Sequence, residues 1–437
     1  MLPLYIGNLM QLGMGVTDTI AAGHAGADHL AAVSLATSMV FPIMVGIGTI
    51  LTITTPMISR LRGAGGESKA GWLLNNAKSL AFILLAVEWV LLLAGSFVLP
   101  WAAETAEIAH TAQLYVWFIM LGIPANLLFR LAQGHFEGFG TTRPAMILST
   151  VGVVVNIPLN FFFVFGQCGF PRLGGAGCGL ASAIIIWMMA LGMVGMLLAS
   201  RRHRHQVRQW LVLRMPDRKL FLSILRLGFP LGLACFCEMG FFAVVTFIIA
   251  PLGTLALDAQ QVAISVSGMV FMLPLSVGVA ASVRAAFHYG ARDEERFDAL
   301  VRTSVLTMLC GVTALFLCTI CFRQQIVNLY TNDPAIAELA ALLLFYCAIY
   351  QFSDGFQALL SGLLRACQDT AVITWTCLCS YWMVGFPLSC ILIRTDWIVP
   401  AMGAVGAWIS FIVCLTLTAI ALGLRFRRTR RRLFERS

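Results

Sequence analysis

Twelve apolar runs, separated by short polar breaks, follow one another along the whole chain. They lie near residues 1–23, 30–59, 72–100, 108–132, 144–166, 177–200, 222–250, 257–287, 299–322, 336–364, 371–393 and 400–424. The runs are about 20 residues or longer, twice the length a barrel strand needs, and none alternates polar with apolar positions. The pattern therefore predicts membrane-spanning helices. The longest polar stretch, 201–219, opens Arg201-Arg202-His203-Arg204-His205 and parts six runs from six. The expected architecture is all-α, with twelve transmembrane helices in two bundles. An N-terminal six-helix bundle (1–200) and a C-terminal one (220–424) are joined by a basic cytoplasmic linker, 201–219, and followed by a basic cytoplasmic tail, 425–437.

The punctuation of the halves repeats. An offset of 229 pairs Thr141 with Thr370, Pro158 with Pro387, Gly174 with Gly403 and Gly177 with Gly406. Nearby offsets pair Pro3 with Pro230, Pro42 with Pro274 and Gly46 with Gly278. A repeat of six spans returns the chain to the side it started from, so the halves are expected to be parallel and pseudo-symmetric about the membrane normal. Two such halves flanking a central cavity suit alternating access.

Composition supports this reading. The chain is 59% hydrophobic and 11% charged, against about 25% charged in soluble domains. No soluble core of this length buries so much apolar side chain, whereas lipid solvates the outer faces of a bundle. Charge then sets the orientation. With both termini inside, only Arg172, Arg323 and Arg394 of the 29 Lys and Arg fall outside, a strong positive-inside bias. The expected location is the inner membrane of a bacterium, with both termini cytoplasmic. The tail Arg425–Arg432 suits anchoring to anionic lipid, without any nucleic-acid partner. Met1-Leu2-Pro3-Leu4 has no basic segment before its apolar run and reads as the start of a first span, not a cleaved signal. Most of the 13 cysteines sit inside apolar runs, and no His or Cys cluster completes a zinc site around Cys318 and Cys321.

An acidic side chain at mid-bilayer costs roughly 2.5–3.5 kcal/mol on insertion scales, so each one needs a reason. Glu238 lies mid-span in the seventh run, flanked by apolar residues. Asp354 lies in the tenth run, with Tyr350 at i−4 and Gln357 at i+3, a polar stripe of phenol, carboxylate and amide. Asp18 lies towards the outer end of the first run. Asn156 and Asn160 lie one turn apart around Pro158, whose missing N–H frees a carbonyl nearby; amides and carbonyl together could ligate a small cation. Glu88 sits mid-span in the third run without a polar companion on its face, and structural or lipid-depth roles are expected for it. Burial disfavours ionised carboxylates and a bound cation favours them, which is the logic of a coupling site.

Other chemistries lack their motifs. Gly63-Ala64-Gly65-Gly66-Glu67-Ser68-Lys69 does not have the spacing of a phosphate-binding loop, so ATP is not an expected partner. No G-x-S-x-G or H-E-x-x-H occurs, and no catalytic constellation emerges.

The stretches Met14-Gly15-Val16-Thr17-Asp18-Thr19, Asn156-Ile157-Pro158-Leu159-Asn160, Leu173-Gly174-Gly175-Ala176-Gly177-Cys178-Gly179 and Ala250-Pro251-Leu252-Gly253 together resemble the multidrug and toxic compound extrusion (MATE) family over essentially the whole chain. Glu238 with Asp354 resembles its NorM-type branch. The resemblance implies efflux of amphipathic organic cations by a monomer, driven by inward Na⁺ or H⁺ with no other cofactor. It implies cation coupling at Asp18, Glu238 and Asp354, with Tyr350 assisting and Na⁺ held between Glu238 and Asp354. Asn156 and Asn160 would form a second polar cluster with Asp18, and Ser38, Gln261 and Asp333 resemble drug-contacting positions. Asn332-Asp333 departs from the paired acids of some relatives. A lipid-linked precursor flippase shares the architecture but would call for basic residues within the cavity; a membrane-embedded enzyme would need a catalytic pair.

Overall fold

The computed structural model describes residues 2–167, 169, 171–211, 215–397 and 400–434. Among the described residues, twelve long helices follow in chain order. In the first half they are α1 (Leu2–Ala25), α2 (Ala27–Leu51), α3 (Ala70–Ser96), α4 (Ala106–Gly138), α5 (Arg143–Phe165) and α6 (Gly175–Ala199). In the second they are α7 (Arg218–Ile249), α8 (Thr254–Gly290), α9 (Glu294–Asn328), α10 (Pro334–Ala366), α11 (Ala371–Arg394) and α12 (Ala404–Phe434). Among the described residues eleven helical spans, all but α1, are long and apolar enough to cross a membrane. The remaining helix, α1, is more polar because it carries Asn8, Gln11, Thr17 and Asp18. This is a multi-pass membrane protein.

Two expectations about the elements change. The second run does not stay one helix: it breaks at Thr52 and resumes as a short helix, Thr54–Gly63. Threonine hydroxyls cause part of the break, since Thr52 Oγ1 donates to Thr49 O and Thr54 Oγ1 to Leu51 O, both at 2.7 Å. Pro56 completes it, having no N–H to return to Thr52. Nor is the linker only polar. It holds a helix, Arg204–Leu211, whose Trp210 is fully buried and whose Trp210 carbonyl accepts from Lys78 Nζ at 2.7 Å.

The chain divides into two compact units, Met1–Gly232 and Leu233–Ser437, and the division falls inside α7. The first turns of α7 belong with the first unit because glycine seats them on α2. A Cβ at Gly228 would lie 2.3 Å from the Ile50 carbonyl oxygen. Within the first unit α1 packs on α5, and α4 on α6 and α2. Within the second, α10 is central, packed by α8, α9 and α12. There Gly278 and Gly362 bring α8 and α10 into backbone contact; a Cβ on Gly362 would lie 2.3 Å from Gly278 O.

The repeated glycines do the same work in both units. Gly174 and Gly403 start α6 and the last helix with φ of 57° and 58°, the left-handed region where a Cβ is disfavoured. Gly177 would meet the Phe163 carbonyl oxygen at 2.7 Å and Gly406 the Leu392 carbonyl oxygen at 2.6 Å if either carried a Cβ. The same two carbonyls accept from Leu173 N and Met402 N, at 3.0 and 2.8 Å. Each pair of positions is 229 residues apart. The tail is partly tied to protein. Arg425 forms a two-pronged pair with Asp369 (2.7 and 3.2 Å) and Arg430 reaches Glu294 and Asp298, while Arg427, Arg428, Arg431 and Arg432 stay exposed.

Candidate functional site

Each unit carries one polar cluster inside its bundle. In the first, the α1 helix places Asp18 against α5 and α6, buried to 5% exposure. Its Oδ1 accepts from Asn156 Nδ2 at 3.0 Å and Asn160 Nδ2 at 2.7 Å, and its Oδ2 accepts from Ser182 Oγ at 2.6 Å. Asn160 Nδ2 also reaches Asn156 Oδ1 at 3.1 Å, and the Thr17 hydroxyl meets that same oxygen. The Asn pair thus turns to a carboxylate, not to the carbonyl freed by Pro158. The one-turn spacing of 156 and 160 puts both amides on one face, so they grip a single oxygen. Asp18 is not a helix-end residue: three charge-assisted hydrogen bonds hold it in the interior. Asn160 Oδ1 is buried without a hydrogen-bond partner, leaving an oxygen acceptor open beside the carboxylate.

In the second unit, Glu238 of α7 faces α10 and α11. Gln357 Nε2 donates to Glu238 Oε1 at 3.5 Å, and the Tyr381 hydroxyl lies 3.4 Å from that oxygen and 2.9 Å from Gln357 Oε1. A π-helical turn, Cys379–Gly385, carries Tyr381 into place just ahead of Pro387. Insertions of this kind in α-helices recur at functional positions because they re-aim one side chain without breaking the helix. Asp354, 4% exposed, lies one turn before Gln357 on α10 and is close enough to interact electrostatically with Glu238. Arg365, two turns beyond Gln357, is the nearby positive charge acting on Glu238. An aromatic wall backs the carboxyls. Phe241 stacks on Tyr381 with centroids 5.5 Å apart, and Phe411 packs on Phe242, Tyr350 and Trp408.

The residues expected to matter are not all brought into these clusters. Asp18, Asn156 and Asn160 meet directly, and Glu238 meets Gln357. Tyr350 gives its ring to the aromatic wall, edge-on to Trp408 at 5.6 Å, and the phenol at Glu238 comes from Tyr381. Ser38 is exposed and turns its hydroxyl back to Leu35 O at 2.7 Å. Gln261 is exposed near the start of α8, beside Gln260, whose amide oxygen accepts from Trp408 Nε1 at 2.9 Å. Asp333 caps the N-terminus of α10, its Oδ1 accepting from Ala335 N at 2.8 Å. Ser182 and Tyr381 were not anticipated. Their only sequence signals are a hydroxyl one turn past Cys178 in the glycine-rich start of α6, and a phenol six residues before a repeated proline.

The profile of the MatE family matches the chain twice, over residues 3–162 and 230–391. The chain belongs to the MATE family. Both matched segments start at corresponding points of the repeat, and between them they contain every residue of the two clusters except Ser182. Among reviewed relatives, Multidrug resistance protein NorM of Vibrio vulnificus strain YJ016 is 37% identical over 97% of this chain and 92% of its own length. Multidrug resistance protein MdtK of Yersinia pseudotuberculosis strain IP 31758 is 36% identical over 98% and 93%. Within the MATE family the chain is thus of the NorM type. The fold matches solved MATE structures. The eukaryotic MATE transporter AtDTX14 superposes with a TM-score of 0.86 at 18% identity, covering 99% of this chain and 96% of that one. An outward-facing multidrug resistance MATE transporter superposes at 0.87 and 20% identity, covering 99% and 95%.

Proposed function

We propose that this MATE protein is a secondary multidrug antiporter that exports amphipathic organic cations in exchange for inward Na⁺ or H⁺. The observation that carries the reading is the Glu238–Gln357–Tyr381 triad with Asp354 beside it, set in an apolar, aromatic-walled bundle. Ionising two neighbouring carboxyls in such surroundings is unfavourable unless a positive charge accompanies them. Protons, Na⁺ and an organic cation all satisfy that need, and they compete for it. Entry of the small cation neutralises the carboxyls and removes the electrostatic hold on the drug; its release restores that hold. Arg365 limits how much charge the pair presents when empty. In the first unit, the oxygens of Asp18, Asn156 and Asn160 supply a second set of donors for the same small cation.

The same reading places the protein as a monomer in a bacterial inner membrane with both termini cytoplasmic, and powers it without ATP. Lipid contributes through the exposed Arg427, Arg428, Arg431 and Arg432, which suit anionic headgroups. The test is ethidium efflux from energised cells, with the Na⁺ and pH gradients varied independently. Glu238→Gln and Asp354→Asn should each abolish gradient-driven efflux while leaving membrane insertion intact. Full gradient-driven efflux in either variant would sink the assignment.

A further inference from the structure

Glu88 has no polar neighbour on its own helix face, where Leu84, Leu85, Leu91 and Leu92 occupy the positions three and four residues away. A residue at the lipid boundary would be exposed. Glu88 is 0% exposed, and both of its carboxyl oxygens are buried without a hydrogen-bond partner. It is therefore an interior group of the first unit, outside the Asp18 cluster.

The helices α2 and α4 both pack on α3 here; two turns from Glu88 on its own face, a Cβ on Gly95 would lie 2.3 Å from Met39 Sδ of α2. Trp89 Nε1 donates to Met120 O at 3.0 Å and Gln113 Nε2 to Ser96 O at 2.9 Å, which sets the register of α3 against α4 around Glu88. Further along α4, Asn126 has its Nδ2 buried without a partner, and Arg130 follows one turn later. The Arg130 guanidinium is the charge that reaches Glu88. The α2 helix makes room for it: a Cβ on Gly48 would lie 2.4 Å from Arg130 Nε. Among the described side chains, the other charges on the elements packed against α3 lie towards the ends of the bundle. Asp28 and His29 open α2; Glu107 and His110 open α4, and His135 and Glu137 close it. Arg60, Arg62, Glu67, Lys69 and Arg204 cluster at the start of α3, and Lys78 is tied to the Trp210 carbonyl.

These surroundings select the ligand. An alkali cation needs several oxygens to replace its water, and Glu88 sits among leucines with a guanidinium in electrostatic range. A proton needs one oxygen. We propose that Glu88 is a proton-binding site of the first unit, separate from the Asp18 cluster, whose ionised form has Arg130 as its counter-charge. On release the proton leaves the carboxyl oxygen for solvent, and the carboxylate is held by the arginine.

Infrared difference spectroscopy of the full-length protein in lipid, titrated with pH, tests this directly. A protonated-carboxyl C=O band should fade as pH rises, be absent in Glu88→Gln and remain in Glu88→Asp. Arg130→Gln should move its disappearance to higher pH by about one unit or more, a tenfold tighter hold on the proton. Saturating Na⁺ or ethidium should leave this band in place while changing those of Glu238 and Asp354, so the inference and the coupling assignment fail separately. The proposal is overturned by identical titrations of wild type and Glu88→Gln, by a Glu88 band that persists at every pH, by an unmoved midpoint in Arg130→Gln, or by displacement of the band on adding Na⁺.

Discussion

The Tyr381 hydroxyl has one proton and two acceptors in reach, Gln357 Oε1 at 2.9 Å and Glu238 Oε1 at 3.4 Å. With Glu238 neutral the proton belongs to Gln357; with Glu238 ionised the carboxylate competes for it, since bonds to charged acceptors are the stronger. Tyr381→Phe keeps the ring on Phe241 and removes only this choice. Losing one such bond is worth about 1.4 kcal/mol, so the variant should shift the Na⁺ or H⁺ concentration for half-maximal efflux by roughly tenfold. An unchanged concentration dependence would show that the hydroxyl plays no part in coupling. Asp18 permits a cleaner separation of roles. In Asp18→Asn the amide oxygen can still accept from Asn156 and Asn160, while the amide nitrogen donates to a turned Ser182 hydroxyl. That variant should melt within a few degrees of wild type in detergent and yet lose any cation dependence that resides in the first unit. Asp18→Leu takes their acceptor from the Asn156 amide and the Ser182 hydroxyl and leaves Asn160 only Asn156 Oδ1, at about 1–3 kcal/mol for each group left unsatisfied, and should melt markedly earlier.

At the scale of elements, close backbone approach decides where helices cross. The Gly278–Gly362 contact between α8 and α10 has no side chain to give way, because the atom a Cβ on Gly362 would strike is a carbonyl oxygen. Gly362→Ala should therefore destabilise the second unit by about 1–3 kcal/mol, the range for overpacking, seen as an earlier melt. A Gly423→Ala control, whose Cβ would meet only the tip of Leu360 at 3.6 Å, should melt like wild type. Such contacts explain what could be read in advance. Gly174, Gly177, Gly403 and Gly406 were legible as a repeat because backbone approach and positive φ accept little but glycine, so both halves retain it. Asp18, Glu238 and Asp354 were legible because a carboxyl in lipid needs a reason. Ser182 and Tyr381 carried no such signal: a serine hydroxyl satisfies itself on its own helix, as Ser389 does with Gly385 O at 2.8 Å, and so appears anywhere in a span, while a tyrosine reads as one more aromatic ring of an apolar run. The π-helical turn was hidden for a related reason. Pro158 and Pro387 are equivalent by offset, yet only the second follows such a turn.

For the whole molecule, the least legible region was the one between the halves. A run of charge at 201–219 reads as a tether, but in the structure residues 201–211 dock on the rest of the first unit. Arg202 pairs with Glu67 at 3.1 Å and lies over the Phe139 ring, and Gln206 Nε2 donates to Glu67 O at 2.9 Å. His203 inserts between Phe136 and Phe139 and meets His135 Nε2 at 3.2 Å through its Nδ1. Burial, reinforced by the adjacent Arg202, pushes the His203 imidazole below its ordinary range. The sign follows from linkage. The docked state favours the neutral ring and the undocked state binds the proton more readily. Docking is thus fully supported above the ordinary imidazole value of about 6.5 and weakens as pH falls below it. Hydrogen exchange over residues 201–211, corrected for the intrinsic pH dependence of exchange, should show protection at about pH 7.5 that declines towards pH 5.5. His203→Gln, which cannot take up a proton, should flatten that response, and Glu67→Gln should weaken docking at both pH values by removing the negative charge that pairs with Arg202. Protection that is constant with pH in the wild-type protein would show that the His135–His203 contact packs the linker without sensing protons. A decline that survives in His203→Gln would place the sensing group elsewhere in the docked segment.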